Sequence, residues 1–281
     1  MIAFLGSVFS PYYAWTRRFG VGDPLRHCAL NVALYRAGDR DAPKRWSMTE
    51  RGAGAVERDA THLRIGPSAL RWDGSALTIA IDEVTMPLPR RIRGTVRIHP
   101  AALTDHDALL CRTGNHHWTP LAPRARVELS LEQPSLRWSG EGYLDGNHGD
   151  GAIETAFRHW DWCRAPLRRD TAILYHSVHR DGGATDIALR VDRHGTVEPF
   201  ASPPGTVLPR SRWRVRRATR SETGTATVLR TLVDAPFYAR SVLRTQLLGE
   251  RVEAVHESLD CDRFARPWVQ AMLPFRVPRA F

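Results

Sequence analysis

Apolar residues in this chain recur at every second position, and that period restricts it to β structure. In "SALRWDGSALTIAID", Leu70 and Trp72 precede an Asp73-Gly74 turn, after which Leu77, Ile79 and Ile81 alternate with smaller residues. Such a pattern predicts a hairpin. "TVRIH" repeats it through Val96 and Ile98, and "RVELSLEQPSLRWSGEGYLD" places Val127, Leu129 and Leu131 on one face before a Gln133-Pro134 turn. "TAILYHSVHRDGGATDIALRVDRHGTVEPF" predicts three strands joined at Asp181-Gly182-Gly183 and Arg193-His194-Gly195, and "TATVLRTLVD" and "RSVLRTQLLGERVEAVHESLD" continue the period. Short strands with regular turn punctuation point to an all-β, antiparallel sandwich or barrel. Helical spacing is confined to "HPAALTDHDALL" (His99 to Leu110) and "ARPWVQAMLPF" near the C-terminus.

A length of 281 residues suits one large or two medium β domains. A proline and a charged cluster around Trp162 to Arg169 predict a boundary, which divides the chain into barrel-like domains 1–165 and 166–281. The formal charge of +10 is almost entirely arginine and mostly dispersed. It is denser in "RRIRGTVR" and in "RSRWRVRRATR", where Trp213 and Val215 alternate with Arg212, Arg214 and Arg216. That alternation predicts a strand with one apolar and one charged face. The charged face is either solvated or drawn to an anionic membrane surface. No nucleic-acid module accompanies the charge, so nucleic acid is not an expected partner.

No apolar run reaches the length of a bilayer span, and the N-terminal apolar patch lacks a basic region before it, unlike a signal peptide. The isolated cysteines Cys28, Cys111, Cys163 and Cys261 are expected as reduced, mostly buried thiols of a cytoplasmic protein.

The chain has no GxSxG elbow, P-loop, HExxH or GxGxxG. Its chemistry-bearing residues come instead as i, i+2 pairs. On a strand, His116 and Trp118 of "GNHHWTP" share a face, as do Tyr143 and Asp145 of "GEGYLDGNHGD". If their strands are neighbours, the two pairs line one wall. The competing reading makes His116 and Trp118 core residues and Asp145 the cap of a turn through Gly146 and Asn147. Glu141 and Asp150 fall on the solvent side, and His148 is a bystander. Trp160 and Trp162 of "RHWDW" share a face as core or as substrate-binding residues. His116, His148, His159 and Asp145 match no metal-ligand spacing, so no metal is expected.

"FSPYYAW", "HCALNVALY", "RWSMTERG", "GNHHWTP", "GYLDGN" and "RHWDW", in that order, resemble the acyclic carotenoid 1,2-hydratases, or hydroxyneurosporene synthases. The motifs run from about residue 4 to about 165, and a weaker likeness continues beyond. The resemblance implies a fold of two lipocalin-like (calycin) barrels, no cofactor, and addition of water across the terminal C1–C2 double bond of an acyclic carotenoid. It implies His116, Trp118, Tyr143 and Asp145 as the functional set.

Such chemistry requires a proton donor to carbon held in a dry site. A carboxyl desolvated among aromatic groups can stay protonated near neutral pH, which makes Asp145 the candidate acid. Trp118 and Tyr143 would face the cation at C1, and His116 would take a proton from water. The sequence leaves open whether Asp145 and His116 exchange roles. It also leaves open a cyclase or pericyclase on the same scaffold, and a non-catalytic carrier of a hydrophobic ligand. A polyene substrate resides in membrane, so the basic exterior and the aromatic residues Tyr12, Tyr13 and Trp15 are expected to favour peripheral docking.

Overall fold

The structure is a computed structural model that describes residues 1–20, 22–35 and 45–280. It is mostly β, in antiparallel sheets with few short helices. Strands β1 (Ile2–Phe4), β2 (Cys28–Leu34) and β3 (Arg45–Arg51) make a three-stranded sheet. An eight-stranded sheet follows. It contains β4 (Val56–Arg58), β5 (His62–Ile65), β6 (Ser68–Trp72), β7 (Leu77–Val84), β8 (Arg91–Pro100), β9 (Ala108–Leu109), β10 (His116–Gln133) and β11 (Leu136–Gly149). Strands β12 (Phe157–Pro166), β13 (Thr171–His179), β14 (Ala184–Val191) and β15 (Val197–Pro199) come next. β16 (Gly205–Leu208) and β17 (Arg217–Arg220) form a separate two-stranded sheet. With β18 (Thr227–Asp234), β19 (Tyr238–Leu247) and β20 (Glu250–Asp260), the strands β12 to β15 complete a seven-stranded sheet ordered β15-β14-β13-β12-β20-β19-β18.

The period-two hairpins form as predicted. Trp72 pairs with Leu77 and Leu70 with Ile79, and the Asp73 carboxylate closes the turn by accepting from Ser75 and Ala76. The passage from one large sheet to the other falls between Gly149 and Phe157. β12, whose residues to 165 the predicted first unit includes, pairs with β13 and β20.

Four segments differ from expectation. His99 to Leu110 forms no helix: its backbone is committed to β10, with Ala101 N–H donating to Arg124 O at 2.9 Å and Thr104 N–H to Leu121 O at 3.0 Å. The 210–216 stretch is a turn rather than a strand, with Arg214 at φ 62°. Val215 is buried there while Trp213 is exposed. Helix α1 (Pro11–Arg18), which period-two reading passes over, is nucleated by Ser10, whose hydroxyl accepts from Tyr13 N–H at 2.9 Å. Finally, the turn through Gly146 and Asn147 does not form: "GEGYLDGNHGD" lies in β11 up to Gly149. The predicted C-terminal helix is present as α4 (Pro267–Met272), after α2 (Ile153–Ala156) and α3 (Cys261–Phe264).

Two cores position the site. One joins the three-stranded sheet to the eight-stranded sheet through Leu30, Val32, Ile79, Ile81, Val96 and Leu129. The other lies where β10 and β11 meet the seven-stranded sheet, and gathers Trp118, Phe157, Trp162, Tyr175, Leu259 and Phe264. All four cysteines are buried free thiols.

Candidate active site

The site begins with two prolines. "TPLAP" puts Pro120 and Pro123 inside β10, where a residue without an N–H cannot serve a regular ladder. The strand bulges at each. Thr119 pairs with Gly146, Ala122 with Leu144 and Ala125 with Gly142. Pro120 and Leu121 therefore oppose Asp145 alone, and Pro123 and Arg124 oppose Tyr143 alone. Bulges re-aim side chains and sharpen twist, and here each stands across from one of the two polar residues on the inner face of β11.

The bulged backbone is held from outside and inside. Thr104 donates from its hydroxyl to Pro120 O at 2.8 Å. From the opposite sheet, buried Arg164 of β12 donates through Nη2 to Pro123 O at 3.0 Å and to Gly142 O at 3.4 Å, with its guanidinium 5.5 Å from the centre of the Tyr143 ring.

Close strand approach explains the glycines of β11. A Cβ on Gly142 would meet Val127 Cγ2 at 2.2 Å, and one on Gly149 would meet His116 Nδ1 at 2.4 Å and Asn115 O at 2.7 Å. They admit neighbouring atoms where a side chain would not fit. Glu141 and Asp150 are exposed, as expected.

Asp145 receives two hydrogen bonds on one oxygen. Trp118 Nε1–H donates to Oδ2 at 2.9 Å and the Tyr143 hydroxyl donates to the same atom at 3.2 Å. Oδ1 carries no hydrogen bond among the described residues. Burial pushes the Asp145 carboxyl up to about 6 and outweighs the opposing pull of the Trp118 hydrogen bond. Burial, then the neighbouring Asp145, also raises Tyr143 well above a free phenol, so it stays a donor. The reading of Asp145 as a turn cap does not hold.

Aromatic rings line this half-buried carboxyl. Trp118 is 0% exposed and lies 5.7 Å from Tyr175, while Tyr143 lies 5.4 Å from Trp162. Trp160 stands one step further off, 6.1 Å from Tyr175 and 5.5 Å from Phe157. Trp118, Tyr143, Asp145 and Trp162 are thus brought together. His116 is not: its ring packs edge-on to Phe157 at 5.0 Å, burial lowers its basicity, and among the described residues no hydrogen bond joins it to Asp145.

Sequence reading missed Tyr175, Tyr238, Arg240 and Glu257. Trp162 pairs with Tyr175 on one side and Glu257 on the other, and Glu257 pairs with Arg240. Their only local signal is alternation, which they share with every strand residue; the pairing that joins them spans most of the second half of the chain.

His148 joins His117, on the outer face, rather than His116. Ligand atoms of Asp107, His117 and His148 lie within 4.8 Å of one another. His117 Nδ1 bonds Asp107 at 2.6 Å, and the two imidazoles stack at 4.6 Å with an 11° tilt. Parallel rings hold their lone pairs in separate planes, so a shared ion would require one ring to turn. His159 is not in this group; it stands on β12, 6.3 Å from His176. Two cavities of about 100 and 120 Å³ adjoin Asp161, the larger also lined by Trp162 and Tyr175, and neither is lined by Asp145.

The profile of the family described as "Carotenoid hydratase CrtC" matches residues 1–281. The acyclic carotenoid 1,2-hydratase of Thiocapsa roseopersicina is 53% identical over 282 residues, covering 99% of this chain and 68% of that protein. That of Cereibacter sphaeroides is 39% identical over 281 residues, covering 99% of this chain and 98% of that protein. Among solved structures, an AttH-type protein of Nitrosomonas europaea aligns with a TM-score of 0.52 at 13% identity, over 77% of this chain and 76% of that one. CghA in complex with Sch210972 aligns with a TM-score of 0.50 at 11% identity, over 83% and 79%. These two likenesses concern the fold.

Proposed function

The chain belongs to the carotenoid hydratase family, and from that premise we propose that Asp145 is the acid of its reaction. The activity is that of an acyclic carotenoid 1,2-hydratase, a hydro-lyase. The observation that carries the assignment is the double hydrogen bond on Asp145 Oδ2 inside an aromatic enclosure. Both donors engage one oxygen, so the proton of the neutral acid resides on Oδ1, free to reach an alkene carbon. Transfer to C2 leaves a tertiary cation at C1. The rings of Trp118, Tyr143, Trp162 and Tyr175 face that charge, and a desolvated cation–π contact contributes about 2 kcal/mol. Water then adds to C1. Trp160 extends the apolar wall toward the polyene. His116 supports the strand end that carries Trp118.

We read the two large sheets as walls of two lipocalin-like barrels, each completed by the small sheet beside it; the Leu30–Leu131 core supports the first of these.

No helix among the described residues is long and apolar enough to cross a membrane. We propose peripheral docking on an anionic membrane from the cytoplasmic side, a reducing compartment that fits four free thiols. Of the aromatic residues expected to dock, Tyr12 and Tyr13 are half-buried, with Tyr13 stacked on His27, while Trp15 is 60% exposed, as is neighbouring Phe19 at 65%. A second patch supports the same reading: Trp213 stacks on Trp268 at 6.3 Å, beside exposed Met272 and Phe275 and the exposed arginines Arg214 and Arg266. Aromatic and basic side chains together suit a lipid interface.

The function is tested by incubating the enzyme with lycopene or neurosporene in ¹⁸O-water. Each reacted end should gain one labelled water, and product without label would overturn the assignment. Flotation with anionic liposomes at low salt tests docking; failure to capture the protein would refute it.

A further inference from the structure

Hydration moves two protons. One goes from acid to carbon and the other leaves the attacking water. Asp145 accounts for the first, and His116 packs away from it. Across the enclosure, the seven-stranded sheet presents one cross-strand row, Tyr175–Trp162–Glu257–Arg240. Residues directly opposite one another share a face with Cβ atoms about 5 Å apart. Glu257 is therefore the neighbour of Trp162, whose ring touches Tyr143, the donor to Asp145.

Glu257 is held by a built network. Arg240 Nη2 lies 2.7 Å from its carboxylate, Arg240 Nε donates to the Tyr238 hydroxyl at 3.0 Å, and Nη1 donates to the Tyr35 hydroxyl at 3.2 Å. The Arg240 and Glu257 side chains keep 16% and 22% exposure, whereas Trp118 has none. This edge of the aromatic cluster is thus open in part to water. Trp162, the residue between Tyr175 and Glu257 in this row, also belongs to the core cluster that contains Trp118 and Tyr175 and against which Tyr143 packs.

We propose that Glu257, clamped by Arg240, is the base that takes the proton from the water attacking C1; this rests on the assignment of Asp145 as the acid. The Asp145 O–H bond breaks as the π electrons of C1=C2 form the new C2–H bond. A water lone pair forms C1–O, and one water O–H bond breaks with its proton passing to Glu257. Return of that proton to Asp145 through solvent restores both groups, so the net change is one water added. Glu257 also supplies the negative charge that a cation at C1 attracts.

The test is Glu257→Gln, which keeps the shape and an oxygen for Arg240, measured in ²H₂O with ¹⁸O label. Loss of a general base lowers rates by about 10²–10⁴-fold, so hydration should fall by at least about 100-fold. Reversible proton transfer from Asp145 should persist, so recovered carotenoid should still acquire deuterium. Glu257→Asp keeps the base and should restore part of the hydration rate; it also carries the test if the Gln variant melts early. Hydration within about threefold of the parent in the Gln variant would overturn the proposal. So would a folded variant that loses both deuterium exchange and hydration, because Glu257 would then act on Asp145 and not on water. Deuterium exchange surviving in Asp145→Asn would instead remove Asp145 as the acid, a separate failure.

Discussion

Trp118 reaches Asp145 diagonally across two strands, Nε1 to Oδ2 at 2.9 Å, although its direct partner in the ladder is Asn147. The diagonal is open because β10 carries an extra residue at Pro120, opposite Asp145. The same oxygen takes the Tyr143 hydroxyl, so one face of β11 holds a carboxyl whose second oxygen has no hydrogen bond among the described residues.

If Asp145 is the acid proposed above, activity should fall as pH rises. Its carboxyl is pushed up to about 6 and would act in its protonated form, so turnover should be level below that value and drop about tenfold per pH unit above it. The stability linkage has the same sign. A raised carboxyl contributes stability that is complete below the ordinary carboxyl value and is lost as pH rises through about 6. The Asp145→Asn variant should be inactive. Denaturant melts should show it gaining on the parent between pH 4 and 8 by on the order of 2–3 kcal/mol.

Trp118→Phe should move the pH midpoint upward. The indole N–H favours the ionised form, so its loss leaves a weaker acid that stays protonated to higher pH. Turnover at low pH should still fall about tenfold, because a smaller ring offers less to the cation. A pH–rate profile that moved downward would contradict the role of this hydrogen bond.

The β11 glycines should differ sharply. Gly149→Ala drives a Cβ against Asn115 O and His116, an overpacking expected to cost about 1–3 kcal/mol. Gly146→Ala meets only Leu121 Cδ1 at 3.6 Å, an ordinary contact, and should shift stability by less than about 0.5 kcal/mol. Paired thermal melts check the contrast.

Arg164→Met should cost activity more than stability. The apolar substitute removes a guanidinium that is costly to bury, which offsets part of the lost bonding to Pro123 O and Gly142 O. It also releases the bulge that aims Tyr143. The expected result is a fall in kcat of about tenfold or more with KM nearly unchanged and a melting temperature within a few degrees of the parent.

Alternation alone determined that this chain is β, where its hairpins turn, and that Trp118 and Tyr143–Asp145 each project to one side. Those properties are local: a period of two holds whatever a strand packs against. The bulges had a visible mark in Pro120 and Pro123, but their positions opposite Asp145 and Tyr143 depend on register with β11. Gly142 and Gly149 look like turn residues in sequence, and only the approach of Val127 and His116 shows why a side chain is excluded there. Likewise, nothing near Asp145 in the chain announces Tyr175, Arg240 or Glu257. Tertiary structure decided that wall, because burial of a carboxyl is a property of what closes over it. Here that is a second sheet, whose strands meet the first only after the chain has folded back.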